Sequence, residues 1–157
     1  MYSVDELDEV RKIDEVPPSS AGAPLPMIVC DEHQLHLAYL IETGLSWNNE
    51  SCALIRFSQP YAHFFGPPND EAFVGHPLAQ RGLHPYGCFE VLQSSWIRGL
   101  EQMNSVHRFH KAEHFAVLRH FIFAFHDSTF ECIARDFEWS YHIGSVVNVL
   151  RSSFPYS

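Results

Sequence analysis

Lysine is nearly absent: Lys12 and Lys111 are the only two in 157 residues. Ten bases in all face nineteen acids, a formal charge of −9 with histidine counted neutral. Nonspecific nucleic-acid binding draws its affinity from cations that neutralise phosphates. This balance therefore argues against nucleic acid as a partner. No stretch comes near the ~18 uninterrupted apolar residues that a membrane-crossing helix needs, so no membrane is expected either. The opening MYSVDELDEVRKIDEV is acidic and has no apolar core, which is not the pattern of a secretory signal. Its second residue is Tyr2 rather than a myristoylated glycine, and the final FPYS carries no prenylation box. The expected location is the cytoplasm.

The four cysteines, Cys30, Cys52, Cys88 and Cys132, form no CxxC pair. That removes a zinc ribbon and a thioredoxin-type motif. In a reducing cytoplasm they read as free thiols, with Cys30 and Cys132 inside apolar runs as small core residues. Short catalytic signatures are missing too. There is no glycine-rich phosphate loop, no GxGxxG, no GxSxG elbow and no HExxH.

What the chain has in quantity is aromatic and histidine side chains. Apolar residues make up 46% and thirteen residues are Phe, too many for a disordered chain. Histidine appears eleven times, five of them between positions 107 and 126. Protonating all eleven would carry the formal charge from −9 to +2. Histidine titrates near 6.5, so association that depends on charge is expected to change between about pH 7 and 5.5.

The length suits one domain, residues 23–157, preceded by an acidic arm and linker, residues 1–22. In the arm, Val4, Leu7, Val10 and Ile13 recur every three residues. Ser3 and Glu6 have the spacing of a capping box, which predicts a short helix over 3–16. Pro17-Pro18 ends it, and SSAGAP is a linker.

Beyond Leu25 the pattern turns to short alternating runs. Strands are predicted at 26–30 and 34–42, paired as a hairpin, and at 52–59 and 61–65. Ala53, Ile55 and Phe57 share one face of the third. Residues 66–87 hold four Gly and four Pro but also Phe73, Val74, Leu78, Leu83 and Tyr86. Such a long segment is expected to be ordered and packed. A helix is predicted over Phe89–Met103, where Phe89, Leu92, Trp96, Leu100 and Met103 make one stripe. Residues 117–126 and 129–137 read as a hairpin about a two-residue turn, Asp127-Ser128. That register sets His126 against Thr129 and Ala124 against Glu131. One hairpin face carries Phe121, Phe123, Phe125, Phe130, Cys132 and Ala134. The other carries His120, Ile122, Ala124, His126, Thr129, Glu131, Ile133 and Arg135. A short helix closes the chain over 143–151. The expected fold class is α+β: one antiparallel sheet of five to six strands, the helix of about 89–103 on a face, and a short C-terminal helix.

Four constellations could carry chemistry. His107, His110 and His114 would share a face if their segment were helical. Imidazoles so spaced could hold a divalent metal such as zinc. His126 and Glu131 could approach across the hairpin, where a carboxylate fixes an imidazole as a general base. His76 and His84 each precede a proline that restricts the backbone, and they could rim a pocket. Cys30 or Cys88 could serve as a nucleophile, Cys88 at the start of a helix. Each pattern also suits ordinary turns, solvated faces or core thiols.

Two function classes follow. One is a protein-interaction or regulatory module. Its acidic arm and its loop aromatics (Trp47, Tyr61, Tyr86, Trp139, Tyr141, Phe154 and Tyr156) would meet a protein partner with a basic surface. The other is a small histidine-dependent enzyme or metal-binding protein.

Overall fold

The computed structural model describes residues 3–42 and 50–154. Trp47 and Tyr156, two of the aromatics assigned above to a partner surface, lie outside the described residues. The described residues run through nine strands and three short α-helices. In order these are β1 (Glu9–Ile13), β2 (Met27–Cys30), β3 (Leu35–Leu40), β4 (Ser51–Ser58), β5 (Ala62–Gly66) and β6 (Gly87–Leu92). Then follow α1 (Ser95–Asn104), α2 (Glu113–Ala116), β7 (Arg119–Ala124), β8 (Thr129–Ala134), β9 (Asp136–Ile143) and α3 (Val146–Ser153).

The strands make two antiparallel sheets rather than one. The first has the order β1-β6-β7-β8-β5 and the second β2-β3-β4-β9. Alternation along the strands decides which residues fill the space between them. Leu35, Leu37 and Tyr39 of β3 and Ala53, Ile55 and Phe57 of β4 face Phe121, Phe123, Phe130 and Cys132 of β7 and β8. The rings of Phe57, Phe123 and Phe130 meet at centroid distances of 5.6–6.2 Å, the spacing that edge-on and tilted aromatic pairs favour.

Each sheet also has a covered outer face. On the second sheet, Val146, Val149 and Leu150 of α3 seal Ala38, Cys52 and Leu54. Ser145 caps that helix by accepting from the Asn148 N–H. On the first sheet, the segment between β5 and β6 folds back so that Phe73, Leu78 and Leu83 cover Phe89, Val91, Ile122 and Ala124. Burial on both faces explains why β4, β7 and β8 are near-continuous runs of buried residues.

Several expectations change. Residues 9–13 are a strand, not part of a helix, and pair with β6 from Glu9↔Leu92 to Ile13↔Cys88. The three-residue stripe is split between the faces of that strand. Val10 packs in the outer cluster with Val91, and Ile13 packs on the core between the sheets. The acidic arm is thereby joined to the body.

The helix predicted over 89–103 is a strand followed by a shorter helix. Gly87–Leu92 is β6, and α1 begins only at Ser95. The break falls at Gln93, whose φ is +50°, and Ser94, whose hydroxyl caps the helix. No residue of α1 is fully buried, and Met103 is 67% exposed. It is a half-exposed wall, not a core helix. Gly87 is needed for close approach, since a Cβ there would lie 2.8 Å from the Phe89 ring.

The β7–β8 turn is His126-Asp127, one position earlier than expected. Phe125 N–H bonds to Ser128 O, and Ala124 faces Thr129. The pairing slides by two residues, so residues 120–124 and 129–134 keep their predicted faces, while His126 passes into the turn and Arg135 leaves the hairpin. The strand predicted over 129–137 divides at Arg135: β8 belongs to the first sheet and β9 to the second.

Candidate functional site

Beneath the segment that covers the first sheet lies a buried polar chain. Glu131 projects from the centre of β8 on the face it shares with Ile122. His120 of β7 stands beside it, with Nε2 3.0 Å from Glu131 Oε2. His76, from the covering segment, approaches from the other side, with Nε2 3.2 Å from Glu131 Oε1. Ser94, the cap of α1, reaches His120 Nδ1 at 2.9 Å. The side chains of His76, His120 and Glu131 are at most 2% exposed.

The network assigns the protons. Leu78 N–H donates to His76 Nδ1, so that nitrogen accepts. His76 Nε2–H then donates to Glu131. Ser94 Oγ accepts from Ile97 N–H and donates its own proton to His120 Nδ1. His120 Nε2–H then donates to the other carboxylate oxygen. Burial pulls the His120 pKa below the ordinary imidazole value, with Glu131 opposing. The imidazole is thus kept neutral beside a carboxylate that accepts from two rings.

This chain ends at a cavity of about 720 Å³. Glu131 forms part of its floor, Phe64 and His63 of β5 one wall, and Trp96, Leu100 and Met103 of α1 another. The Trp96 ring meets the His120 ring edge-on at 5.2 Å. At the mouth Asp5 pairs with Arg98, whose guanidinium also donates to Gln93 O. Asp8, 3% exposed, ties the N-terminal segment to this wall by accepting from Ser95 N–H at 2.6 Å.

A second cluster lies at the other end of the hairpin. Tyr86 O–H donates to Asp70 Oδ2 at 2.6 Å, and His126 Nδ1 lies 2.8 Å from the same oxygen. The hydrogen bond from Tyr86 holds the Asp70 carboxyl below the usual carboxylate range, and Asp70 in turn pushes the Tyr86 phenol up. A third group is Glu90, 5% exposed, which pairs with Arg11 and Arg119. Arg119 is the main reason its pKa is lowered.

The structure thus joins two of the predicted site residues, His76 and Glu131. His126 bonds to Asp70 and Tyr86 rather than to Glu131, because the shifted register sets Ile122 against Glu131. His84 is exposed, packs edge-on against Phe89 at 4.8 Å and turns its Nδ1 to the Pro85 carbonyl. His107, His110 and His114 do not share one helix: α1 ends at Asn104 and α2 begins at Glu113. His110 bonds to Glu101 and Asn104 instead. Among the described residues, no three His, Cys, Asp or Glu side chains are arranged to hold a metal ion.

Cys88 lies inside β6, not at a helix start, and burial pushes its thiol well up; burial also raises Cys52, to about 11. Both are poor thiolates. Cys30 is exposed, 3.9 Å from His63 Nε2. Burial also lowers His36. With His36 and His120 resisting protonation, the charge swing expected from eleven histidines is smaller near neutrality.

Sequence reasoning missed Ser94 and Asp8 altogether, and it gave no sign that Tyr86, read as a loop aromatic, meets Asp70 and His126. Ser94 alone carried a signal, as a capping residue ahead of a helix. Among the described residues, no helix is long and apolar enough to cross a membrane. No protein-family model, curated protein or solved structure matches this chain, so its own geometry is the ground for any functional reading.

Proposed function

We propose that the protein is a non-enzymatic interaction module that accepts an extended segment of a partner on the open edge of β9. The observation that carries this reading is the edge itself. Among the described residues β9 pairs only with β4, along all eight of its residues. Trp139, Tyr141 and Ile143 on it are 40%, 46% and 67% exposed. An antiparallel ladder bonds alternate residues. Gly144 N–H bonds to Glu50 O, so His142, Ser140 and Glu138 are in phase to bond β4. Phe137, Trp139, Tyr141 and Ile143 then direct their backbone groups outward. Such edges are templates for strand addition. The opposite edge, β2, is only four residues long.

The chemistry of the added strand follows from its two faces. Trp139 and Tyr141 would meet apolar side chains, and Asp136 and Glu138, both well exposed, would meet basic ones. That agrees with a basic partner for a chain of charge −9. A cytoplasmic setting suits four free cysteines.

The test is an NMR titration with an extended peptide that alternates valine and lysine. Shifts should centre on β9 and vanish in Trp139→Pro, which removes an outward N–H without touching the ladder to β4. Binding that persists in this variant, shifts that lie elsewhere, or pairing of two copies of the chain through β9 would overturn the reading.

A second reading, a small histidine-dependent enzyme, is favoured by the Ser94–His120–Glu131–His76 chain beside the cavity. Turnover of ester or amide substrates should then be lost in Glu131→Gln. Turnover that survives in the variant removes this reading.

A further inference from the structure

We infer that the cavity between α1 and β5 is a binding site for a neutral small molecule with a largely aromatic body, and that Gly99 keeps it open. Binding alone is required, without turnover, and the β9 edge is not involved.

The charges on the lining are already compensated within the protein, and this sets the class of ligand. Glu131 is 2% exposed, and its two oxygens accept from His76 and His120. It is out of water before any ligand arrives, so an apolar ligand strips no hydration from it. At the mouth Asp5 pairs with Arg98, whose guanidinium also donates to the Gln93 carbonyl. Burial holds His63, on the opposite wall, below the ordinary imidazole pKa, so near neutrality it adds no charge. An ion entering the cavity would lose water and find no free counter-charge in exchange. A neutral molecule has no such cost.

The walls select the body of the ligand. Trp96 and Phe64 offer aromatic surface, and Leu100 and Met103 offer aliphatic surface. An aromatic ring packs well on both. Ser3 and Gln102 add neutral polar groups to the lining, which suit one hydroxyl or amide on the ligand. About 720 Å³ is within the range of small-molecule sites.

The space itself has a cause in the sequence. Trp96, Leu100 and Met103 follow one another at helical spacing on α1, and Gly99 stands between them, three residues after Trp96 and four before Met103. A Cβ at Gly99 would meet nothing within 4 Å. Among residues other than proline, glycine is the poorest helix former, so Gly99 weakens α1 and packs against nothing. It lines the cavity. Its neighbours on this face fill space with side chains, and Gly99 leaves the room that a ligand's ring would take.

The experiment uses three matched indole probes on the full chain, followed by calorimetry and NMR near neutral pH: tryptophol, tryptamine and indole-3-propionate, which are neutral, cationic and anionic. Tryptophol should bind saturably at one site and shift signals of Trp96, Phe64 and Met103. Each ion should bind at least about tenfold more weakly. Gly99→Leu puts a side chain into the cavity and favours the helix. It should abolish tryptophol binding while the thermal midpoint holds or rises. The inference is overturned if no probe binds saturably, if either ion matches tryptophol, if the shifts lie elsewhere, or if Gly99→Leu binds as the wild type does. The charge series on the wild-type chain decides the matter even if the variant fails to fold.

Discussion

Glu131 Oε2 and His120 Nε2 lie 3.0 Å apart on neighbouring strands, and the carboxylate's other oxygen accepts from His76. A carboxylate enclosed between two imidazoles costs much to bury and is tolerated because both oxygens have donors.

The two obvious substitutions of Glu131 should therefore differ. Glu131→Ala leaves two buried N–H groups unpaired, at roughly 1–3 kcal/mol each. Glu131→Gln keeps both rings engaged and should lose about 1 kcal/mol or less. Urea unfolding of the two variants measures the difference, and equal losses would contradict the proton assignment.

The core between the sheets should respond more uniformly. Phe130 is fully buried and its ring packs on Phe57, Phe65 and Phe123. Phe130→Ala should cost about 3–5 kcal/mol. A loss below about 1 kcal/mol would mean that the two sheets are not packed through this ring.

Acid should destabilise the protein in two stages. His120 has a folded pKa below its ordinary 6.5, and His36 shares that direction. As pH falls below about 6.5 the unfolded chain takes up protons that the folded chain refuses, so stability declines until the folded values are reached. Glu90 lies below its ordinary 4.5 because Arg119 bonds it. Its contribution is present above about 4.5 and is lost as pH falls through its lowered folded value. Urea midpoints measured across this range should fall in both windows. The upper fall should shrink in His120→Gln, and an unchanged upper fall would speak against the assignment.

The Asp70 cluster should behave as a local latch. Asp70→Asn weakens the hold on Tyr86 and His126 and should return the Tyr86 phenol toward its ordinary pKa, read by ultraviolet titration. Amide exchange across residues 67–86 should quicken while the β3 and β4 amides keep their rates. A global change in exchange would show that this cluster holds more than the covering segment.

Most strands are legible in the sequence because alternation is a direct image of a two-faced sheet. The runs at 26–30, 34–42, 52–59 and 61–65 coincide with the observed strands to within two residues at either end. The failures have specific causes. Val4, Leu7, Val10 and Ile13 mimic a helical stripe, yet Val10 and Ile13 serve opposite faces of β1, which only the open edge of β6 makes worthwhile. Phe89 and Leu92 extended a true helix backward into β6. Alternation also reports faces without counting sheets: Ala134-Arg135-Asp136 contains no glycine or proline to mark the change from one sheet to the other. For the site, both His76 and Glu131 stood out as candidates. Their meeting depends on how residues 67–86 fold over the sheet, and no local pattern encodes that. The sliding of the β7–β8 register by two residues preserved the faces of residues 120–124 and 129–134, but it replaced His126 with His120 as the neighbour of Glu131.

All six residues of β8 are buried, with the inter-sheet core on one side and the polar chain on the other. Its amide protons can therefore reach solvent only when the whole domain opens. Hydrogen exchange at Glu131 should thus report the global unfolding free energy, and a change made beside the buried carboxylate should be read in the stability of the entire fold.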